Sequence, residues 1–139
     1  MKLSLCLLVF VLVGSLNISF ASGGEHHEEK GVHAGHHAKD TPDVVVKGQL
    51  IGMTCFIKHN SKGEKHKDCF KDCAEKGLPI GILTADHKIY QISGEGHADL
   101  KETNKKFVKF AEEQVIAKGK VFSSNGTNMM VVEGIKKAN

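Results

Sequence analysis

The chain contains no arginine and no tryptophan. Its 19 basic residues are all lysine, and aromatics make up 6% of the sequence, Tyr90 and seven Phe. Without the guanidinium fork, bidentate reading of phosphate or guanine has no instrument. Too few rings are present for a base-stacking platform. A formal net charge of +3 adds no strong field, so nucleic acid is excluded as the expected partner. No glycine-rich phosphate loop, Ser-His-Asp set or pair of catalytic carboxylates can be assembled, and nothing resembles an enzyme nucleophile except a cysteine. At 139 residues the chain is one domain's worth, which excludes a multidomain enzyme. Disorder throughout is also excluded, because the second half is rich in Val, Ile and Phe.

The first segment has the features of an export signal. Met1 and Lys2 precede an unbroken apolar run from Leu5 to Val13, which Gly14 and Ser15 break. Ser19-Phe20-Ala21 then places small residues where a signal peptidase cuts. The run falls short of the ~20 apolar residues of a spanning helix, so residues 1–21 are read as a signal peptide and no stable membrane span is expected after cleavage. Cys6 leaves with it. The mature chain is expected in the periplasm or the secreted fraction, where cysteines usually pair.

Residues 22–42 hold glycine, acid and histidine but almost nothing apolar, and Pro42 closes the stretch. Such a composition predicts a flexible tail. Five of the nine histidines lie here: His26, His27, His33, His36 and His37. The tail is either plain solvated chain or a loose collector of Zn²⁺, Cu²⁺ or Ni²⁺ through paired imidazoles.

From residue 43 to 139 the pattern is that of a small, mainly β domain. Val44 to Ile57 reads as a long strand with bends at Gly48 and Gly52, and Lys58 to Lys65 as a polar loop. His66 to Lys76 reads as a short helix stopped by Gly77, with Pro79 beyond. Ile80–Thr84 and Lys88–Ser93 read as strands around Ala85-Asp86-His87. Ala98 to Glu113 reads as a helix with Leu100, Phe107, Phe110 and Ala111 near one face. Val115–Ser123 and Asn128–Ile135 form a hairpin through Asn125-Gly126, a turn that also explains the Asn125-Gly126-Thr127 sequon. Five strands, with one helix inserted after the first and another between the third and fourth, are the order of a five-stranded OB-fold-like barrel.

The mature chain keeps Cys55, Cys69 and Cys73. An odd number leaves one thiol unpaired if the others bridge. His66, Cys69 and Cys73 stand at helical spacing on one face, and the loop before them allows Cys55 to fold back opposite. Three sulfurs and a nitrogen make a complete tetrahedral shell. Cys55, His66, Cys69 and Cys73 are therefore the predicted ligands of one Zn or Cu(I) ion, in a structural or carrier role. A closed shell disfavours metal-assisted hydrolysis. Two other readings stay open. One is a thiol–disulfide redox protein, with Lys65, Lys67 and Lys71 favouring thiolate. The other is a disulfide-stapled interaction domain whose barrel face binds a periplasmic partner protein or a sugar. His59, His87 and His97 are weaker ligand candidates, and Met53, Met129 and Met130 are soft donors or core filler.

The set Cys55, His66-x2-Cys69-x3-Cys73 and Gly77-Leu78-Pro79-Ile80-Gly81-Ile82-Leu83, with Lys88-Ile89-Tyr90 and Gly119-Lys120-Val121-Phe122, resembles a group of small exported bacterial proteins. These carry a Cys…His-x2-Cys-x3-Cys signature on an OB-like domain, and the likeness spans roughly Val44 to Lys136. It implies the fold, export and a shared Cys/His site, without implying a reaction. One departure is Asp86-His87-Lys88, where a glycine would be more usual.

Overall fold

The computed structural model describes residues 41–139. The expected signal peptide and nearly all of the histidine tail lie outside the described residues. Among those residues, no helix is long and apolar enough to cross a membrane.

The chain runs β1 (Asp43–Gly52), α1 (Met53–His59), a 3-10 turn (Glu64–His66), α2 (Lys67–Glu75), β2 (Ile80–Leu83), β3 (Ile89–Ser93), α3 (Leu100–Lys105), a second 3-10 turn (Val108–Phe110), β4 (Gln114–Ser124) and β5 (Thr127–Lys137). The five strands close into a ring in the order β1-β2-β3-β5-β4. All pairs are antiparallel except β3 with β5. β1 closes the ring by serving two neighbours. Its first part pairs with β4 from Asp43↔Lys120 to Gln49↔Gln114, and its last part with β2 from Gln49↔Leu83 to Gly52↔Ile80.

The changeover at Gly48–Gln49 depends on glycine. A Cβ at Gly48 would stand 2.3 Å from the Leu83 carbonyl oxygen and 2.9 Å from Ile82 Cγ2. Inward positions at a strand period carry Val46 and Leu50 from β1, Val115 and Ala117 from β4, and Ile80 and Ile82 from β2. Phe70 and Ala74 of α2 enter the same core, joined by Phe107, Phe110, Ile92 and Met130. Burying a side chain of the size of Phe70 or Leu50 contributes about 1.5–3 kcal/mol, so α2 is fixed to the ring by one apolar stripe.

Three expectations hold locally. α2 ends in a paired cap: Gly77 N–H donates to Ala74 O (3.0 Å), Leu78 N–H donates to Cys73 O (3.0 Å), and Gly77 has φ +80. Asn125 and Gly126, with φ +47 and +80, turn β4 into β5 where Ser124 pairs with Thr127. His87 has φ +62, which is the left-handed position that glycine would occupy at lower strain.

Two expectations need correction. The first strand stops at Gly52, and Met53 to His59 is helix; the last rung is the Met53 N–H donating to Pro79 O (3.0 Å). The expected helix from Ala98 to Glu113 is only α3 followed by a turn and a 3-10 turn. Asp99 caps its start by accepting from Lys101 N (2.6 Å).

Candidate metal centre

Cys69 and Cys73 lie one helical turn apart on α2, a spacing that puts both thiols on one side. The Phe70–Ala74 stripe points into the ring, which turns the cysteine stripe to the helix flank. Cys55 arrives from α1 and not from a strand end as expected. The reversal between the helices uses Asn60 (φ +51), whose N–H donates to Phe56 O (2.7 Å), and Gly63 (φ +92). The result brings the three cysteine sulfurs within 4.8 Å of one another. Cys55 Sγ and Cys69 Sγ are 3.8 Å apart. All three are free thiols, Cys69 exposed and the other two half-buried. They lie close enough to hold a metal ion.

Two of the thiols are shifted toward their protonated form. The hydrogen bond from Cys55 pushes the Cys69 thiol above its ordinary value, with burial and the Cys55 charge adding to it. Burial, then the charge of Cys69, pushes Cys73 up. Two of the lysines expected to favour thiolate, Lys67 and Lys71, are otherwise engaged. Lys67 Nζ sits 2.7 Å from Glu64 and 2.8 Å from Glu113, and Lys71 Nζ is 3.2 Å from Asp68. A nucleophilic thiolate needs the opposite environment. Metal ligation does not, since a bound cation itself displaces the thiol protons.

His66 is not among the group of three. Its side chain is 14% exposed, and its Nδ1 lies 3.0 Å from Glu112 Oε1. Glu112 is a residue that the sequence reading passed over as part of a helix. Its side chain is fully buried, and its backbone stands at φ +60, a conformation that costs a non-glycine residue about 1–3 kcal/mol. Glu112 Oε2 accepts from Gly63 N (2.8 Å) and from Gln49 Nε2 (3.2 Å). No local pattern separates Glu112 from Glu113, which is half-buried and paired with Lys67 and Lys137.

The weaker candidates are elsewhere. His59, His87 and His97 are exposed. Met130 is core, Met129 is exposed, and Met53 Sδ is 3.1 Å from where a Gly81 Cβ would stand.

No family model, curated protein or solved structure matches the chain. The fold and the cluster define it only as a small, mainly β domain with a three-cysteine group able to bind a metal ion.

Proposed function

We propose that this chain is an exported metal-binding protein that holds one Zn²⁺ or Cu⁺ ion through Cys55, Cys69, Cys73 and His66, in a structural or carrier role and without catalysis. The observation that carries it is the convergence of three thiols from two helices within 4.8 Å. Ligands about 2.3 Å from a tetrahedral ion are spaced by about 3.8 Å, the separation of the Cys55 and Cys69 sulfurs. The Cys69 and Cys73 thiols, raised above their ordinary value, favour ligation over thiol exchange. Soft thiolates suit both metals, so the donor set alone does not choose between them.

The ring order β1-β2-β3-β5-β4 with β3 parallel to β5 supports an OB-like barrel, and the Cys/His spacing supports kinship with the exported signature group. The apolar leader supports a periplasmic or secreted location, with the His-rich tail as a low-affinity collector. One observation favours a second reading: sulfurs 3.8 Å apart can close a Cys55–Cys69 disulfide after a small shift, which would leave Cys73 free.

Metal analysis with thiol counting on the mature protein tests both. One ion per chain, retained when residues 22–42 are deleted and lost in Cys69→Ser, is the expected result. No metal, with one titratable thiol per chain, would replace the metal site by the disulfide.

A further inference from the structure

We propose that the three thiols are also a trap for trivalent arsenic: Cys55, Cys69 and Cys73 together bind arsenite, As(OH)₃, or its antimony counterpart, as a three-sulfur adduct. The inference rests on the thiol cluster of the metal-binding reading and extends the ligands that it takes. Among the described residues the ligand atoms within 4.8 Å of one another are three sulfurs, with no histidine nitrogen or carboxylate oxygen in the group. Zn²⁺ fills a four-coordinate shell and needs a fourth donor from outside that group. Trivalent arsenic makes three bonds to sulfur and keeps its lone pair in the fourth direction. A set of three soft donors is therefore complete for it.

The placement of the thiols fits the same ligand. Cys55 comes from α1, and Cys69 and Cys73 from α2. All three are free, so no disulfide has to be reduced first. The Cys55 and Cys69 sulfurs are already 3.8 Å apart. Cys69 is exposed while Cys55 and Cys73 are half-buried, which gives a small solute an open side to enter. His66 is not called on, and its Nδ1 stays 3.0 Å from Glu112 Oε1.

The step is a condensation. Each cysteine S–H gives its proton to one hydroxyl of As(OH)₃, an As–O bond breaks as an As–S bond forms, and three waters leave. Nothing is oxidised or reduced. Arsenite is uncharged at neutral pH and so is the product, so the half-buried cluster gains no charge that a cation must offset. The surroundings suit such a ligand, because Lys67 is committed to Glu64 and Glu113, and Lys71 to Asp68. Three thiolates around Zn²⁺ or Cu⁺ carry net negative charge instead.

The test uses sodium arsenite on the folded mature chain, kept reduced with a phosphine so that no added thiol competes. Mass spectrometry of the intact protein should show one arsenic per chain. Iodoacetamide should then label none of the three thiols that it labels in the free protein. An adduct that leaves a thiol open to labelling overturns the proposal. So does arsenite held as tightly by the urea-unfolded chain, since the fold then assembles no three-sulfur site. Cys55→Ser should lose most of the affinity, and a variant that keeps the parent's affinity counts against the site in the same way. Should Cys55→Ser fail to fold, the labelling of the unaltered protein decides. Zn²⁺ and Cu⁺ titrations run beside it separate the two readings. Arsenite on all three thiols of a chain that takes neither metal leaves this proposal standing and removes the metal-binding reading. A chain that takes up a metal ion but not arsenite removes this proposal alone, and one that takes up neither removes both.

Discussion

Asn104 on α3 tests how α2 is held in place. Its side chain is fully buried, and its Nδ2 donates to Ala74 O at 3.0 Å and to Leu78 O at 2.9 Å, the carbonyls flanking the end of α2. Among the described residues its Oδ1 has no partner, so the amide contributes through its two N–H groups. Asn104→Ala takes from Leu78 O its side-chain donor, at about 1–3 kcal/mol when fully buried, whereas Ala74 O keeps the Gly77 N–H. Since the Leu78 bond is only part-buried, about 2 kcal/mol in total, with the lost contacts of the side chain, is the working figure. For a domain of this size that lowers Tm by roughly 8–16 °C. Asn104→Asp is the sharper variant, because it keeps the shape but turns two donors into acceptors facing carbonyls. It should cost at least as much. Calorimetry of the apo protein, with exposed Lys105→Ala as the control, reads the effect. Hydrogen exchange should show the amides from Lys76 to Leu78 opening first. A loss under about 1 kcal/mol for Asn104→Ala, or an Asn104→Asp variant as stable as the parent, would refute the reasoning.

Gly48→Ala should be strongly destabilising, by about 3 kcal/mol or more. Its Cβ would sit 2.3 Å from a backbone oxygen of the facing strand, whereas Gly134→Ala meets nothing within 4 Å and should be silent; matching denaturation midpoints for the two would dismiss the close approach. The Asp86 carboxyl, lowered to about 2 by the Thr84 hydroxyl and then by Lys88, should titrate there in an NMR pH series. A carboxyl lowered on folding contributes stability above its unfolded value of about 3.9. That contribution fades as pH falls toward 2, and Thr84→Val should bring the midpoint up toward 3.8. The Cys69 and Cys73 thiols are raised from 9.0, so the folded apo domain binds those protons more tightly than the unfolded chain. Its stability should therefore fall as pH rises through and above 9.0, and the Zn²⁺-loaded domain should not follow, because its thiols are already deprotonated; a flat apo profile in urea titrations counts against the raised thiols.

Much of the fold was legible because strand and helix periods differ. The order of the five strands, the stop at Gly77 and the turn at Asn125-Gly126 follow from local residues alone. α1 did not, since Met-Thr-Cys-Phe-Ile has the β-branched and aromatic character of a strand. What makes it helical is tertiary: the pairing of β1 with β2 ends at Gly52↔Ile80 and the Met53–Pro79 bond, and among the described residues no strand pairs with the chain beyond it. The overlong helix to Glu113 failed for another reason. Phe107 and Phe110 are three apart, a spacing shared by α and 3-10 turns, and both enter the core from the short turn that is present.

The candidate site divides along the same line. The stripe of His66, Cys69 and Cys73 needs only the helical period to be seen, and Cys55 needs only the chemistry of an unpaired thiol. Glu112 is invisible to both, because its meaning comes from donors 63, 49 and 46 positions away in the chain, Gln49, Gly63 and His66. A buried carboxylate is costly unless all of its acceptor capacity is met, and in sequence Glu112 is indistinguishable from the ion-paired Glu113 beside it. Only closure of the ring brings β1, the loop and the start of α2 to the same point. The buried contact that cannot be read locally, Glu112 with His66, is thus the one that depends on the whole fold. Loss of ring closure, as in Gly48→Ala, should therefore release His66 along with β1.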